Sequence, residues 1–577
     1  MRDSIDSNRS ATANAADHPR FNVGRRRFIM ATGSAMLGAT VTGCATPLTS
    51  RQRSLTPGQR VELLYFADTL ESYRPTRVAA PATYLGPANL LGEAPWAAAT
   101  GVATLTRSPM PGWQALCDPS QAARRHTAGL GALAARLERL REHLGSSRTL
   151  TLENGQCWSG SGLGHLTTGR AGVAASHLLG SDARVSSDER VLWPSQASGL
   201  YRHYARPVLG SLAHSMAGVV PATHFERDGV RIAVIGASDP HAFDEARDLD
   251  SWYQALASST AQAAERADLV ILLADTGSGA ARWLAQRLPG IDLVLAARSL
   301  DFWPELLEVT HQEGHRVPLC LSGSQGLGCY QLSCVSDRDG WRIEPHFHLI
   351  DGEGTDPDER ERGVHLQARF DALRAPYAAW LDLPLANAPG WLWRRDSVGG
   401  SWDGMIAAAL AQGSASAGDV PRSLLPGLRY DALVAPGEAI TRDHLLRLTG
   451  GYVARVATLD LTGSDVRRLV EQGVDNSLGT PLIINNSHDF PRLMGSDWQL
   501  RYGAGLGERV LIEGASGTHA WQTFSANPHA AAGEPLWQRM ERYLVAQRNG
   551  LSMPPRPNLE AHYLDGHPGW HPEARLT

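Results

Sequence analysis

Short apolar runs alternate, along the first 350 residues, with longer stretches whose apolar positions recur at helical spacing. Val61–Ala67, Thr149–Leu152, Val230–Gly236, Asp268–Ala274, Ile291–Ala296 and Val317–Ser322 read as buried strands. Between them Ala122–Leu144, Leu249–Arg266 and Gly279–Leu288 carry the i, i+3, i+4 pattern of helices packed on a sheet. Strand–helix alternation of this kind predicts an α/β core. Ligands of such sheets bind beyond the carboxyl ends of the strands, so the residues just after each run are the ones to inspect. A polar, acidic stretch, Asp351–Arg362, marks a boundary. It is followed by a helix over about Val364–Asp382 and a second pattern over about Leu385–Gln547. No internal repeats are present.

The N-terminus reads as an address. Gly24-Arg25-Arg26-Arg27-Phe28 precedes a mildly apolar segment, about Phe28–Gly43, which is too short for a spanning helix of about 20 residues. An arginine pair (Arg25, Arg26) before a weak apolar segment is the twin-arginine export pattern. Val41-Thr42-Gly43-Cys44 resembles a bacterial lipobox, which makes Cys44 the lipidation site and the folded body a membrane-tethered, periplasmic protein. Residues 44–60 then form a polar tether. The alternative is an ordinary cleaved signal with a chance cysteine.

Composition changes this picture little. The apolar share is 43% and the charged share 20%, an ordinary globular mixture. All 54 basic residues are arginine, which we read as genome bias, and the formal charge is −5. Without residues 1–43 it is −8, so the body has no electrostatic footprint for nucleic acid. The six cysteines are Cys44, Cys117, Cys157, Cys320, Cys329 and Cys334. An oxidising compartment permits disulfides, with Cys117–Cys157 or Cys329–Cys334 as pairings the sequence allows. His346 and His348 share a strand face and could ligate a metal, although such pairs are more often plain strand residues. Ser322–Gly328 is glycine-rich but lacks the lysine of a phosphate-binding loop.

In the second half, Asp371–Tyr377 and Trp393–Asp403 resemble the linker and domain opening of the thiosulfohydrolase SoxB family, a branch of the 5′-nucleotidase-like metallophosphatases. The likeness continues through Leu425–Tyr430, Ile440–His444, Leu469–Asn476 and Asp489–Gly495, in order. The resemblance implies an αββα metallophosphatase-type sandwich over 61–350, an acidic linker and helix over 351–384, and a 5′-nucleotidase-type α/β domain over 385–577, behind the 1–43 signal.

It also implies two manganese ions held at strand ends, but most of the slots for their ligands read differently here. Asp-x-His is Asp68-Thr69-Leu70; Gln156 stands in the Gly-Asp slot; Gly-His becomes Ser187-Asp188. Asp275 takes the place of a lone histidine, Gly-His-x-His reads Ala297-Arg298-Ser299-Leu300, and Gln325 replaces a late histidine. The reading that follows is a lost metal centre and no cofactor, with Arg298 supplying positive charge to the carboxylates. The alternatives are an all-oxygen Ca²⁺ or Mg²⁺ site from Asp68, Asp188, Asp275 and Asp301 with Glu153, or intact family chemistry in a shifted alignment. Arg394, Arg395, Arg429 and Arg492 match family arginines expected to face an anionic sulfur substrate.

By resemblance, the function is that of a degenerate thiosulfohydrolase homologue recognising the sulfur-carrier protein SoxYZ. An active thiosulfohydrolase is the alternative. A 5′-nucleotidase-type phosphoesterase comes third, because Ala530–Trp537 lacks the nucleotide-stacking segment.

Overall fold

The structure is a computed structural model that describes residues 55–77, 86–90, 93–96, 127–242, 248–338, 340–350, 356–394, 399–412, 421–512, 517–527, 533–557 and 559–561. The export signal, Cys44, Cys117, Arg395 and the first part of the tether lie outside them.

Thirteen strands lie among the described residues of the first half. They are β1 (Arg60–Ala67), β2 (Thr149–Asn154), β3 (Ala183–Val185), β4 (Val208–Leu209), β5 (Val219–Val220), β6 (Ala222–Arg227), β7 (Val230–Ala237), β8 (Leu269–Ala274), β9 (Leu293–Ala296), β10 (Leu307–Thr310), β11 (Arg316–Leu321), β12 (Gly328–Ser336) and β13 (Trp341–Leu349). One sheet runs β13-β12-β1-β2-β3-β4-β5 and the other β10-β11-β9-β8-β7-β6. Within them β1 through β5 pair in parallel, as do β7, β8, β9 and β11, so both sheets present carboxyl ends at one edge of the molecule.

Alternation along the strands sets the layers. Leu63 and Tyr65 of β1 face Leu269, Ile271 and Leu273 of β8 in the core between the sheets. Leu64 and Phe66 point the other way, under helices Leu130–Leu144, Arg170–Leu179 and Pro194–Tyr204. Val270, Leu272 and Ala274 lie under helices Leu249–Ala264 and Ser278–Ala285. The result is a helix–sheet–sheet–helix sandwich.

The connecting helix spans Pro357–Arg374, earlier than the apolar spacing suggests. Asp356 caps it by accepting from the amides of Asp358 and Glu359, and Pro357 fits the first helical position, where no N–H bond is needed. Pro376 ends the regular helix, and the chain continues as a 3₁₀ turn, Ala375–Tyr377, and a short helix, Ala378–Leu381.

The second half centres on a four-stranded sheet ordered Arg455–Thr462, Thr518–Ser525, Ser423–Leu425, Arg492–Met494. Helices Ser401–Ala411, Gly463–Leu478 and Leu536–Ala546 surround it. No described helix is long and apolar enough to cross a membrane.

The cysteine pairings need correction. Cys157, Cys320, Cys329 and Cys334 are free and buried. Cys329 and Cys334 are an odd number of positions apart on β12, so their side chains enter cores on opposite faces of one sheet.

Candidate functional site

The turns that follow β1, β2, β3, β7, β8 and β9 converge at the shared sheet edge, and their polar side chains form one buried network. Asp68 follows β1 in a left-handed conformation (φ 46°). Its two oxygens accept from the backbone amides of Gln156 (2.9 Å) and Arg298 (2.6 Å). Gly155 lets this happen: a Cβ there would lie 2.1 Å from Asp68 Oδ1, on a backbone at φ +71°.

Arg298 occupies the centre. Its Nη1 meets Asp188 Oδ1 at 2.7 Å and Asp275 Oδ2 at 3.5 Å, while Nη2 meets Asp239 Oδ2 at 2.9 Å. Arg429 arrives from the second half. Its Nη2 donates to Gln156 Oε1 (2.6 Å) and to Asp188 Oδ2 (3.2 Å). The Gln156 amide and the Tyr430 hydroxyl (2.9 Å) also donate to Asp188 Oδ2.

Every member is buried, with exposures of 0% for Gln156, Asp188, Asp275 and Arg429, 1% for Asp68 and 4% for Arg298. Solvent therefore screens none of these charges, and the environments diverge. Burial pushes Asp275 up to about 8 despite Arg298, and burial also raises Asp68. Asp188 goes the other way, because the Arg298 and Arg429 guanidiniums outweigh its burial and hold it far below the carboxylate range. At neutral pH the two guanidiniums face a cluster in which Asp275 keeps a proton.

Other anticipated residues lie apart. Leu70 and Leu300 belong to the apolar cluster that includes Leu385, Leu392, Trp402, Leu428, Tyr430 and Tyr452 of the second half, and so seal the two halves together. Asp301 accepts from Ser278 (2.7 Å) and Glu153 pairs with Arg184 (3.0 Å), so neither joins Arg298. Arg184 also stacks 3.7 Å over the Trp158 ring. The Gln325 amide donates to the Asp68 carbonyl (2.8 Å).

Of the three described arginines, Arg394, Arg429 and Arg492, only Arg429 enters the network. Arg394 pairs with Asp403 (3.1 Å) and reaches carbonyls of Pro426 and Leu448, while Arg492 lies between Asp403 and Asp489; both are buried structural ties. His348 sits between Arg136 and Gln331 and is pushed down to about 3, first by burial. The sequence singles out neither Asp239 nor Tyr430 as a site residue. Asp239 carries the same signal as its neighbours, a carboxylate just beyond a strand end.

Beside the sealed network a cavity of 390 Å³ remains between the halves. Glu71, Tyr73, Gln325, Arg374, Asp443 and Arg447 are among its lining residues. Glu71 accepts from Ser161 and is pushed up to about 8 by burial.

No protein-family model matches the chain, and no curated protein does. Solved structures do. The sulfate thiohydrolase SoxB of Thermus thermophilus matches at TM-score 0.76 and 22% identity, covering 89% of this chain and 98% of its own. A 5′-nucleotidase precursor of the same species matches at 0.65 and 14% (88% and 100% covered). The 5′-nucleotidase of Candida albicans matches at 0.52 and 10% (86% and 99%). Strand order and layering thus belong to a fold already known: this chain has the two-domain fold of the SoxB thiohydrolase and the 5′-nucleotidases.

Proposed function

We propose that this chain is a periplasmic, lipid-tethered SoxB-like protein whose hydrolytic metal centre has given way to a fixed guanidinium. Its role in sulfur oxidation is then to recognise a sulfur-carrier partner such as SoxYZ rather than to cleave its cargo. The observation that carries this reading is Arg298, bridging Asp188, Asp239 and Asp275 inside a fully buried network. Two manganese ions do not fit these residues. A guanidinium keeps its proton and has no lone pair to give, and Leu70 and Leu300 offer none either. Buried carboxylates that already share two guanidiniums have little charge left for a dication. Among the described residues the acids of this cluster do not converge as a ligand set. Arg429 and Tyr430 cover Asp188, and Leu70 and Leu300 pack among second-half residues beside it. The polar 390 Å³ cavity beside them stays open and is where we place the partner's arm.

The test loads the purified protein with manganese, removes loose ion, and measures bound metal together with sulfate release from a carrier-bound cysteine S-sulfonate. We expect binding to the carrier, no manganese at the strand-end site and no sulfate. Two retained equivalents with manganese-dependent sulfate release would overturn the reading.

A further inference from the structure

A second part of the molecule has metal-site chemistry, well away from the strand-end network. The hairpin β10–β11 closes through the turn His311-Gln312-Glu313-Gly314-His315, at the opposite end of β11 from the loop that returns to the site. The turn is fixed by four backbone features. The His311 amide donates to the His315 carbonyl (2.8 Å), and the Gly314 amide donates to the His311 carbonyl (2.8 Å). The Gln312 amide donates to the Gln286 carbonyl (2.9 Å), which ties the tip to the preceding helix. Gly314 takes the left-handed conformation (φ 91°) that the reversal needs.

This geometry brings two imidazoles and a carboxylate to one point. Ligand atoms of His311, Glu313 and His315 all lie within 4.8 Å of one another, the one such set of three among the described residues. The imidazole rings stack with centroids 4.3 Å apart at 26°. His311 Nδ1 accepts from the Glu313 amide (3.1 Å) and lies 3.8 Å from the Glu313 carboxylate, so an ion taken up at this nitrogen would replace the amide as its partner. The His311 side chain is otherwise poorly served: the residue is 2% exposed and its Nε2 has no hydrogen-bond partner. The His311 ring is thus held by contacts made within the turn itself, to the Glu313 amide and the His315 ring, which keep it beside the other two donors.

We infer that His311, Glu313 and His315 form a binding site for one borderline divalent cation of the zinc class. Two imidazoles and a carboxylate are the donor types such ions prefer, and three protein ligands leave a coordination position for water or for a group on a partner. Glu313 and His315 are exposed, so an ion can enter without opening the fold. Its place at the far end of the sheet makes it a structural or docking ion, separate from any chemistry at Asp188.

The test is calorimetric titration of the full-length protein, purified without a polyhistidine tag, with Zn²⁺, followed by Co²⁺ as a visible spectroscopic probe. One equivalent is expected, with Co²⁺ bands typical of nitrogen and oxygen ligands. Loss of a direct ligand should weaken binding by more than the roughly tenfold that follows loss of a supporting partner. His315→Ala and Glu313→Gln should each show that loss while leaving the melting temperature of the metal-free protein unchanged, since both side chains are exposed. No stoichiometric binding, or a stoichiometric site that survives both substitutions unchanged, overturns the inference. Equivalents that persist beyond this one in His315→Ala would bear on the strand-end site instead.

Discussion

Arg298 meets three carboxyl groups from a backbone at φ 79°, a conformation that costs a non-glycine residue of order 1–3 kcal/mol. Six other non-glycine residues around the site share the left-handed region: Asp68, Leu70, Glu71, Leu300, Gln325 and Ser487. Removing the guanidinium leaves buried carboxylates without their counter-charge, which typically costs about 3–5 kcal/mol. Arg298→Leu is therefore expected to melt well below the parent at pH 7. Asp188 contributes stability that is fully present above its ordinary carboxylate value and is lost as pH falls below that value toward its depressed folded one. The deficit of Arg298→Leu should accordingly shrink toward pH 3, and chelators should leave the parent's melting point unmoved. Asp275 gives the opposite slope. Its folded pKa, about 8, lies above the unfolded value, so the native state holds a proton that the unfolded chain has lost, and stability falls as pH rises from about 4 to 8. Asp275→Asn removes that slope and should gain on the parent above pH 7 in thermal melts across pH 5–9.

The turns beyond the strand ends are short and over-determined. Gly155→Ala would drive a methyl group toward Asp68 Oδ1 from a left-handed backbone, and should lower the melting point even though the residue bears no side chain. Leu300→Ala should cost about 2–5 kcal/mol, as for other buried leucines, because it opens a void in the seam between the halves. These elements differ in how far the sequence exposes them. β1, β7 and β8 are apolar runs buried on both faces, so they stand out and end within a residue or two of where the pattern places them. β3, β4 and β5 are only two or three residues long and leave no period to read. β13 is mostly half-buried or exposed, and His346 and His348 break its apolar pattern. At the site, the rule that function follows strand ends finds Asp68, Asp188, Asp275 and Arg298, and would have found Asp239. It cannot find Arg429 and Tyr430, which meet Asp188 across more than 240 positions of chain.

At the scale of the whole chain, the two halves are joined by charge and by apolar burial together. Arg429 and Tyr430 reach Asp188, the Gly162 amide donates to Asp443 (2.8 Å), and Leu70 and Leu300 pack among second-half residues. We expect residues 53–577 to unfold in one calorimetric transition, with no separate melting of the second half. Localisation tests the rest of the proposal: Cys44→Ala should move the protein from the membrane pellet to the periplasmic extract, because acyl chains are its proposed means of attachment. Lysines at both Arg25 and Arg26 should hold it in the cytoplasm. The Asp68 carboxylate also governs how two turn amides exchange with solvent. Loop amides usually exchange their hydrogens with solvent first. Here the amides of Gln156 and Arg298 sit in loops, yet both are bound to that buried carboxylate, so their exchange should wait for this network to open. An exchange map should therefore run against secondary structure, with these two turn amides outlasting those of the partly exposed edge strand Val219–Val220.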